Sequence, residues 1–354
     1  MDTRRALLHA LASGPVSGPS LADELGVSRA AVWKAVESLR EEGFAVESTP
    51  DGYVAPDDPA YCAAGIEFEL DAPYTVEYHD SVGSTNDRAR TLAEDGRSDI
   101  VVVADEQTGG RGRLDREWVA PSGGVWASIL VRPEVAPARS PLFTLAAAVA
   151  TTDACREAGV DAGIKWPNDV LVRDEADAET RATIGDRGGR KLAGILTEME
   201  GEADRVSWLV LGIGVNANLD ADALPAGATS LRAERAKTAT ATRDGNVTSD
   251  SNVAGDSDGN AADIDRRRFV SRLLERFAEL AAEPDAVLSA WRDRAITLGR
   301  RVRVETSTGA VVGTAADVEP PGALVIETDD GPVRVHAGDC EHLREVGESG
   351  SDTE

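Results

Sequence analysis

Hydrophobic residues recur at helical spacing through the N-terminal part of the chain, and an alternating stretch follows them. Apolar positions three and four residues apart predict helices over residues 3–12, 21–27 and 29–43. Residues 44–55 alternate between polar and apolar side chains around a Pro-Asp-Gly turn. This alternation around a central turn predicts a β-hairpin.

Serine residues stand where two of these helices are expected to begin. Ser20 precedes the second helix and Ser28 the third, and a serine there can accept a hydrogen bond from a backbone N–H of the first turn. Gly43 is the expected end of the third helix. Three helices followed by a hairpin predict a winged helix-turn-helix domain over residues 1–58.

A second region, residues 66–295, mixes strand-like and helical patterns without strict alternation. Strand-like runs are TVEYHD, IVVVADEQ, GVWASILV, KLAGILTEME and VSWLVLGIGVN, and helical runs cover residues 84–95, 141–158 and 266–282. This mixture predicts a mixed-sheet α/β or α+β domain. Polar inserts interrupt it over residues 173–190 and 233–263. The second insert has almost no large apolar residues, which predicts a disordered surface loop.

The C-terminal region, residues 298–345, consists of short strand-like runs separated by turn residues. The runs are RRVRVET, AVVGTAADV, ALVIET and PVRVHAG. Several short strands with glycine and proline between them predict a small β-barrel. The acidic segment after Val346 is predicted to be frayed.

The charge of the chain is strongly negative. There are 63 acidic against 37 basic residues, a net charge of −26, and only four of the basic residues are lysines. Because the acidic residues are spread along the whole chain, we interpret this as adaptation to a salt-rich, halophilic cytoplasm, where screening suppresses self-repulsion. The alternative is an ordinary acidic protein with disordered acidic segments.

Other features of composition argue against membrane and disulfide-rich classes. No apolar run approaches the roughly 20 residues of a membrane helix, and the N-terminus lacks the apolar core of a signal peptide. A cytoplasmic location and no membrane partner are therefore expected. Cys62, Cys155 and Cys340 are scattered, so they predict neither a metal site nor a disulfide. We expect inert thiols, with Cys155 on a buried helix face.

A segment rich in glycine and arginine, residues 106–118, is the most informative motif. It follows a predicted strand, and Arg111, Arg113 and Arg116 alternate with small or turn-forming residues. A mobile cationic loop of this kind can fold over an anionic ligand and exclude water. The alternative is a solvated glycine hairpin.

Three further motifs carry polar groups. Residues 165–169, Lys-Trp-Pro-Asn-Asp, place an amide and a carboxylate where a metal–phosphate group and a proton acceptor are possible, or form an ordinary turn. Residues 191–198 predict a strand with a lysine at its start and an internal glycine, which often marks close approach of a ligand or a backbone. Residues 84–87, Ser-Thr-Asn-Asp, resemble a helix capping box, and their remaining hydroxyl and amide groups can bind a neutral polar ligand.

Familiar nucleotide-binding motifs do not account for these patterns. The chain has no Walker A sequence, which excludes a P-loop. Gly212 and Gly214 match the loose dinucleotide pattern after a strand, but the residues that follow form a poor helix and no acidic ribose-binding partner is evident. A dinucleotide site is therefore disfavoured.

Taken together and in this order, the motifs resemble the bifunctional biotin–protein ligase and biotin operon repressor family. The order is Ser-Thr-Asn, Gln-x-x-Gly-Arg-Gly-Arg, Lys-Trp-Pro-Asn-Asp, Lys-Leu-Ala-Gly-Ile-Leu and Gly-x-Asn. The likeness covers nearly the whole chain, including Ser-Arg-Ala-Ala-Val-Trp-Lys at residues 28–34. It implies a winged helix-turn-helix, a mixed-sheet ligase domain similar to class II aminoacyl-tRNA synthetases, and a C-terminal SH3-like β-barrel.

The resemblance implies a two-step, AMP-forming reaction. The biotin carboxylate attacks the α-phosphate of ATP to give biotinyl-5′-adenylate and pyrophosphate, and a lysine of a biotin carboxyl carrier domain then displaces AMP. The first step brings two anions together, so cationic groups and Mg²⁺ are expected. The second needs a neutral amine, and therefore a nearby carboxylate or a positive local field.

The resemblance also assigns residues. The implied biotin-binding residues are Ser84, Thr85, Asn86, Gln107, Arg111, Gly112, Arg113, Lys191 and Gly194. The implied catalytic residues are Lys191, Asp169, Arg111 and Arg113, and those for ATP and the adenylate are Trp118, Asn168 and Asn216. Hydroxyls and amides suit the neutral ureido head of biotin, whereas the cations suit its carboxylate and the reacting phosphate.

Two departures from the family pattern concern this site. The family loop commonly continues with a second Gly-Arg, but Leu114, Asp115 and Arg116 stand here. We expect Asp115 to place negative charge near the phosphates and to weaken retention of the intermediate. The insert at 173–190 precedes Lys191 and leaves the geometry of that loop open.

DNA binding by the N-terminal domain is expected but opposed by its charge. Residues 1–60 contain ten acidic residues against five basic ones, a net charge of −5, which repels phosphate. The third helix is locally basic, so we predict DNA contacts through Ser28, Arg29 and Lys34. The alternative is a domain that only stabilises the ligase or contacts proteins. The resemblance also implies a homodimer formed when adenylate is bound.

Two other functions remain open on the sequence. A lipoate-type protein ligase shares the implied catalytic fold, although the Gly-Arg-Gly-Arg loop argues against it. A non-catalytic, biotin-sensing DNA-binding regulator is the other, and Lys191 and Asp169 argue against that.

Overall fold

The computed structural model describes residues 3–113, 116–173, 188–244 and 263–343, with side chains described up to residue 239 in the third range. The N-terminal elements are α1 (Thr3–Ala12), α2 (Gly18–Leu25), α3 (Arg29–Glu41), β1 (Glu47–Thr49) and β2 (Gly52–Val54). The two strands pair antiparallel. The predicted order of three helices and a hairpin is confirmed.

One of the two predicted helix starts is wrong. Ser28 caps α3 by accepting the Ala31 N–H, as expected. However, α2 begins at Gly18 and is capped by Ser17, not by Ser20. The reason is that Pro19 fits the first turn of a helix, where its missing N–H would have no partner, so the helix starts before the proline.

The N-terminal core extends into the next segment of the chain. Helix α4 (Ala63–Glu67) follows the hairpin, and Ala64 and Phe68 pack into the same hydrophobic cluster as α1 to α3. Phe68 lies 5.3 Å from Phe44, ring centre to ring centre. Arg4 bonds the buried Glu67, so apolar and ionic contacts join the N-terminal helices to the start of the central region.

The central region is built on a seven-stranded mixed sheet with the order β3-β4-β5-β9-β8-β7-β6. The strands are β3 (Thr75–Val82), β4 (Ile100–Gln107), β5 (Val125–Val131), β6 (Ala162–Lys165), β7 (Asp169–Val172), β8 (Arg190–Gly201) and β9 (Val206–Val215). Only the β3–β4 pair within it is parallel. The predicted mixed sheet is confirmed.

Helices cover both faces of this sheet. They are α5 (Thr85–Glu94), α6 (Pro141–Glu157), α7 (Leu231–Asp244), α8 (Arg266–Ala282) and α9 (Pro284–Arg292). Side chains alternate between the faces of a strand, so Val101 and Val103 of β4 pack in the core with α6 and α8, whereas Ile100 and Val102 pack with α5. Both faces are buried, which explains the continuous apolar run of β4.

The insert predicted as a disordered loop over residues 233–263 is in part a helix. Helix α7 covers residues 231–244. Its start is stabilised by Ser230, whose hydroxyl accepts the Ala233 N–H, and Lys237 pairs with Glu234 one turn before it. Alanine, arginine and glutamate are strong helix formers, and the polar composition concealed this. Residues 245–262, most of the 173–190 insert, Asp115 and the acidic C-terminal segment lie outside the described residues.

The C-terminal region forms a five-stranded antiparallel sheet with the order β13-β12-β11-β10-β14. Its strands are β10 (Arg301–Thr306), β11 (Gly309–Glu319), β12 (Ala323–Thr328), β13 (Gly331–Val335) and β14 (Asp339–His342). The predicted strand-rich module is confirmed. Strand β14 lies at one edge, and Gly338 and Asp339 at its start reach the central region.

The three cysteines are buried and unpaired, and Cys155 lies on helix α6 as predicted. Burial raises the pKa of the Cys155 and Cys340 thiols to about 12, which makes them poor nucleophiles. Among the described helices, none combines the length and the apolar composition needed to cross a bilayer.

Candidate active site

A cavity of about 300 Å³ is lined by residues of the central strands β8 and β9 and by the segments that follow β3 and β4. Every residue that the sequence assigned to catalysis, biotin or the adenylate lines it: Ser84, Thr85, Asn86, Gln107, Arg111, Gly112, Arg113, Trp118, Asn168, Asp169, Lys191, Gly194 and Asn216. The structure therefore brings together residues that are more than 130 positions apart in the chain.

Sheet topology explains why the first group meets. Strands β3 and β4 are parallel neighbours, so their carboxyl ends lie at the same edge. Ser84, just beyond β3, caps helix α5 by accepting the Asp87 N–H, while Gln107 is the last residue of β4. The predicted cap is confirmed, and the first turn of α5 faces the end of β4.

One end of the cavity carries neutral polar groups in a hydrogen-bond chain. The Thr85 N–H donates to Gln107 Oε1 at 2.8 Å, and Thr85 Oγ1 lies 3.0 Å from the same oxygen. Ser128 Oγ lies 2.7 Å from Thr85 Oγ1 and 2.6 Å from Asn86 Oδ1. Asn86 Nδ2 donates to Glu198 at 3.1 Å. No sequence motif predicts Ser128, and Glu198 has no predicted role although it is the last residue of the motif at 191–198.

Two glycines of β9 make room beneath these groups. A Cβ at Gly212 would lie 2.2 Å from Asn86 Oδ1, and one at Gly214 would lie 2.9 Å from Trp118 Nε1. Separations this short are incompatible with an alanine unless the neighbour moves. The Gly-x-Gly pattern that superficially matched a dinucleotide motif thus allows two side chains to lie directly on the sheet.

The other end of the cavity carries paired charges. Lys191 Nζ lies 2.6 Å from Asp169 Oδ1 and 5.1 Å from the centre of the Trp118 ring, a cation–π distance. Gly194 allows this packing, because a Cβ there would approach both Lys191 and Trp118 within 3.3 Å. The predicted close approach at Gly194 is therefore made by side chains of the chain itself.

The arginine loop is held at both sides of the cavity. Arg111 Nη2 lies 2.5 Å from Asp87 Oδ1 on helix α5. Arg113 donates to Asn168 Oδ1 at 2.8 Å and to the Gly338 carbonyl of the C-terminal module at 2.6 Å. The loop therefore connects the neutral end of the cavity with the C-terminal module.

The two asparagines assigned to the adenylate are engaged by the protein. Asn168 is buried, and its Nδ2 donates to the Ile195 carbonyl at 2.8 Å while its oxygen accepts from Arg113. Asn216, also buried, donates to the Thr229 carbonyl at 3.0 Å. Both amides thus stabilise the cavity wall in the structure.

A buried glutamate on α7 supports the position of Lys191. Glu234 pairs with Arg190, the neighbour of Lys191 in β8, at 2.8 Å. Burial opposes ionisation of Glu234, but hydrogen bonds from Thr229 and two cationic side chains lower its pKa. Glu234 lies in a polar insert whose composition predicts a disordered loop, so no motif indicates its role.

Asp339 of the C-terminal module also lines the cavity, and no sequence motif predicted it. Its Oδ2 accepts from Arg116 at 2.7 Å. Burial opposes ionisation of Asp339, but the hydrogen bond from Arg116 and the charge of Arg113 lower its pKa. A carboxylate in a strand of a separate module carries no motif that would relate it to the arginine loop.

The described residues contain no cluster of three or more histidine, cysteine or acidic side chains able to hold a metal. Magnesium that accompanies a nucleotide is held mainly by phosphate oxygens and water, with one or two protein carboxylates. Asp169 is a carboxylate of the cavity that fits this limited role.

The predicted DNA-binding residues lie together on α3. Ser28, Arg29 and Lys34 are exposed, and between the two cations Trp33 is 58% exposed. Glu37, which follows on the same helix, is paired with Arg40 at 2.6 Å. The first half of α3 therefore presents positive charge and one large aromatic ring without an exposed acid.

Comparisons with known proteins agree with this geometry. The family model of the biotin/lipoate A/B protein ligase family matches residues 78–216. Models of an HTH domain and of the biotin protein ligase C-terminal domain match residues 3–54 and 297–343.

Individual relatives match along most of the chain. The bifunctional ligase/repressor BirA of Bacillus subtilis is 33% identical over 342 residues, which cover 92% of this chain and 93% of that protein. The biotin–[acetyl-CoA-carboxylase] ligase of Mycobacterium tuberculosis is 32% identical over 275 residues, covering 74% and 86%. The solved biotin protein ligase of Aquifex aeolicus, in complex with biotin and ATP, has the same fold, with a TM-score of 0.55 at 22% identity over 76% of this chain and 99% of that one.

The chain therefore belongs to the biotin protein ligase family. Its helix-turn-helix domain gives it the arrangement of the bifunctional ligase/repressor members of that family. The predicted family, fold class and enzyme class are confirmed: a winged helix-turn-helix, a mixed-sheet ligase domain and a C-terminal strand-rich module.

Proposed function

We propose that this enzyme activates biotin with ATP as biotinyl-5′-adenylate and transfers the biotinyl group to a lysine of a biotin carboxyl carrier domain. The observation that carries the proposal is the division of the cavity. A set of neutral hydroxyls and amides lies at one end, Lys191 lies at the other, and the arginine loop reaches from helix α5 to Asn168. Biotin has the same division, with a neutral ureido head and an anionic carboxylate.

In the proposed first step, the protein offsets the repulsion between two anions. Lys191 binds the biotin carboxylate and the α-phosphate, while Arg111 and Arg113 close over the forming adenylate. Preorganised cations aimed at developing charge are worth several kcal/mol in a site that excludes water. Mg²⁺ supplies further charge neutralisation when it enters with ATP, and Asp169 and Asn168 lie where they can support the phosphates.

In the proposed second step, the acceptor amine must lose a proton before it attacks the mixed anhydride. Asp169 is the carboxylate closest to Lys191, at 2.6 Å. Once Lys191 turns to the substrate phosphate, Asp169 is released to accept a proton from the incoming lysine. Trp118 and Gly194 form the surface on which the adenine packs, with Asn216 behind it.

Intact-mass spectrometry of a biotin carboxyl carrier domain, incubated with the protein, biotin and MgATP, tests the proposal. We expect a mass increase of one biotinyl group that requires all three components. An unmodified carrier, with folded protein at low and high salt, would refute it. Replacing biotin by lipoate in the same assay decides between this function and a lipoate-type ligase.

We also propose that the N-terminal domain binds operator DNA, and that binding responds to biotin through an adenylate-induced homodimer. The exposed face of α3 supports this, because Arg29, Trp33 and Lys34 face outward without a neighbouring free acid. With two cations on this face of each subunit, and therefore four in the dimer, the logarithm of the binding constant should fall with the logarithm of the salt concentration at a slope of about −3.6. The alternative is a domain that only contacts protein, and absence of DNA binding with adenylate present would favour it.

A further inference from the structure

Ser128 and Glu198 lie behind the neutral end of the cavity, and both contact Asn86. Ser128 on β5 is fully buried, and its hydroxyl lies 2.6 Å from Asn86 Oδ1 and 2.7 Å from Thr85 Oγ1. Glu198 on β8 lies at the other end of the same amide, 3.1 Å from Asn86 Nδ2. We propose that Ser128 and Glu198 are positioning residues that fix the donor and acceptor directions of the head-group pocket, an inference that rests on the proposed function.

The direction of each hydrogen bond follows from the carboxylate of Glu198. A carboxylate only accepts, so the Asn86 amide nitrogen faces Glu198 and the Asn86 oxygen faces Ser128. The Leu196 carbonyl, 3.5 Å from the same nitrogen, favours the same orientation. The Asn86 oxygen then takes the single proton of the Ser128 hydroxyl, which leaves Ser128 Oγ as an acceptor toward Thr85.

Thr85 in turn sets the orientation of Gln107. The Thr85 N–H donates to Gln107 Oε1 at 2.8 Å, so that oxygen faces Thr85 and the Gln107 amide nitrogen faces away from it as a donor. Because Ser128 Oγ accepts, the Thr85 hydroxyl donates its proton to Ser128, and the Thr85 oxygen keeps a lone pair for a ligand. A neutral cyclic urea, one carbonyl between two N–H groups, matches this pattern.

The hydrogen-bonded side chains from Glu198 to Gln107 have little freedom to rearrange. Thr85 and Asn86 are 3% and 5% exposed, and the Asn86 oxygen lies 2.2 Å from the position that a Cβ of Gly212 would take. A buried hydrogen-bonding group that loses its partner costs about 1–3 kcal/mol. Replacing Ser128 or Glu198 should therefore disturb Thr85, Asn86 and Gln107, which line the cavity. Neither Ser128 nor Glu198 lines the cavity itself.

The test uses steady-state adenylate formation by the full-length protein. Glu198→Gln replaces the acceptor-only partner by an amide that permits both orientations of Asn86, and Ser128→Ala removes the link to Thr85. For each variant we expect the KM for biotin to rise about tenfold, with kcat and the KM for ATP within about twofold of wild type. The preference for biotin over 2-iminobiotin, in which the urea oxygen is replaced by nitrogen, should also fall.

Glu200→Gln is the matched control. Glu200 lies two residues further along the same strand, and its carboxylate accepts from Trp208 Nε1 instead. We expect its KM for biotin and its preference over 2-iminobiotin to be those of wild type. An equal rise of KM in Glu200→Gln and Glu198→Gln would mean that loss of a negative charge, not orientation of Asn86, is responsible, and would overturn the proposal.

A double-mutant cycle shows whether Ser128 and Glu198 act through the same hydrogen bonds or independently of each other. Because Ser128 and Glu198 act through the same amide, the rise in KM for the double variant should be smaller than the product of the single effects. A simple product, or single variants that change kcat or the KM for ATP with the KM for biotin unchanged, would overturn the inference. If Ser128→Ala does not fold, as thermal unfolding would show, Glu198→Gln and its control decide alone. Wild-type protein that forms no adenylate would instead refute the proposed function.

Discussion

The two ends of the cavity are held together in different ways. At the neutral end, Thr85 and Asn86 are almost fully buried and bonded in one chain with Ser128. At the charged end, the side chains of Lys191 and Asp169 are 22% and 25% exposed and are bonded to each other. The neutral end is thus preformed, whereas the charged end consists of ion pairs that can be exchanged.

This difference matches what each end is proposed to bind. A neutral head group gains affinity from fixed hydrogen bonds whose partners need no rearrangement. Anionic groups, in contrast, must replace carboxylates such as Asp169 and Asp87 as partners of the cations. The side chains of Arg111 and Asp87 are 41% and 40% exposed, and ion pairs this exposed contribute only about 0–1 kcal/mol. Arg111 can therefore exchange its partner at little cost. The resident carboxylates keep the cations in place until a substrate phosphate arrives.

The largest expected effect is at the charged end. Lys191→Ala removes the cation closest to the proposed reacting groups, and we expect adenylate formation to fall roughly 10²–10³-fold, the size seen when one preorganised donor is lost. Steady-state kinetics of pyrophosphate release measures it. Lys34→Ala, an exposed lysine on α3, is the control and should retain wild-type rates. Wild-type turnover in Lys191→Ala would remove Lys191 from the reaction.

Two glycine variants separate the ends of the cavity. The Cβ of Gly212→Ala would overlap Asn86, and that of Gly214→Ala would overlap Trp118. We expect the first to raise the KM for biotin and the second the KM for ATP, each by about tenfold or more, because displacing a packed group costs about 1–3 kcal/mol. These glycines are two residues apart on one strand, so each is the control for the other. Equal effects on both KM values would mean that the ends are not separate.

A smaller effect is expected for the arginine loop. Arg111→Ala should raise the dissociation rate of the adenylate about tenfold, because one charge-assisted hydrogen bond contributes about 1.5–3 kcal/mol. Arg90 bonds the same oxygen of Asp87 but does not line the cavity, so Arg90→Ala is the control. Release of labelled adenylate measures the rate, and an unchanged rate in Arg111→Ala would reject the assignment of the loop.

The smallest expected effect is on the free energy of unfolding, and it comes from the buried His342 of the C-terminal module. Burial, with the charges of Lys165 and Arg300, lowers the pKa of His342 from 6.5 to about 3. Between these values the unfolded chain binds more protons than the folded one, so His342 makes stability fall as the pH drops below 6.5, by up to about 1.4 kcal/mol per pH unit.

Urea unfolding at about pH 7 and about pH 5 measures this contribution. His342→Gln should reduce the loss of stability between the two pH values, and the exposed His336→Gln should not. The same pH dependence in wild type and His342→Gln would show that His342 does not titrate as its surroundings indicate.

Much of the site was predictable because its residues fall in local motifs. Ser84, Gln107, the arginine loop and Lys191 each stand next to a strand or helix end that the hydrophobic pattern reveals. Parallel pairing of β3 and β4 then brings the first two together. A resemblance in motif order was enough to assign the family, because several motifs in the same order are much more specific than one.

The supporting residues were not predictable for a physical reason. Ser128 is a small polar residue in the buried strand β5 and interrupts no pattern. Glu234 and Asp339 act across elements that are distant in sequence, and their pairing with Arg190 and Arg116 is a property of the fold alone. Helix α7 was missed because an alanine-rich polar segment has the composition of a loop but the propensity of a helix.

The most direct test of the account is to analyse the products formed from biotin and MgATP by the protein alone, without a carrier. Mass spectrometry should detect biotinyl-5′-adenylate bound at about one molecule per chain, with release of pyrophosphate and a strong decrease in Lys191→Ala. Folded protein that leaves ATP intact, or that forms ADP and phosphate without the adenylate, would contradict the claim that the cavity joins a neutral head-group site to a cationic centre for biotin activation.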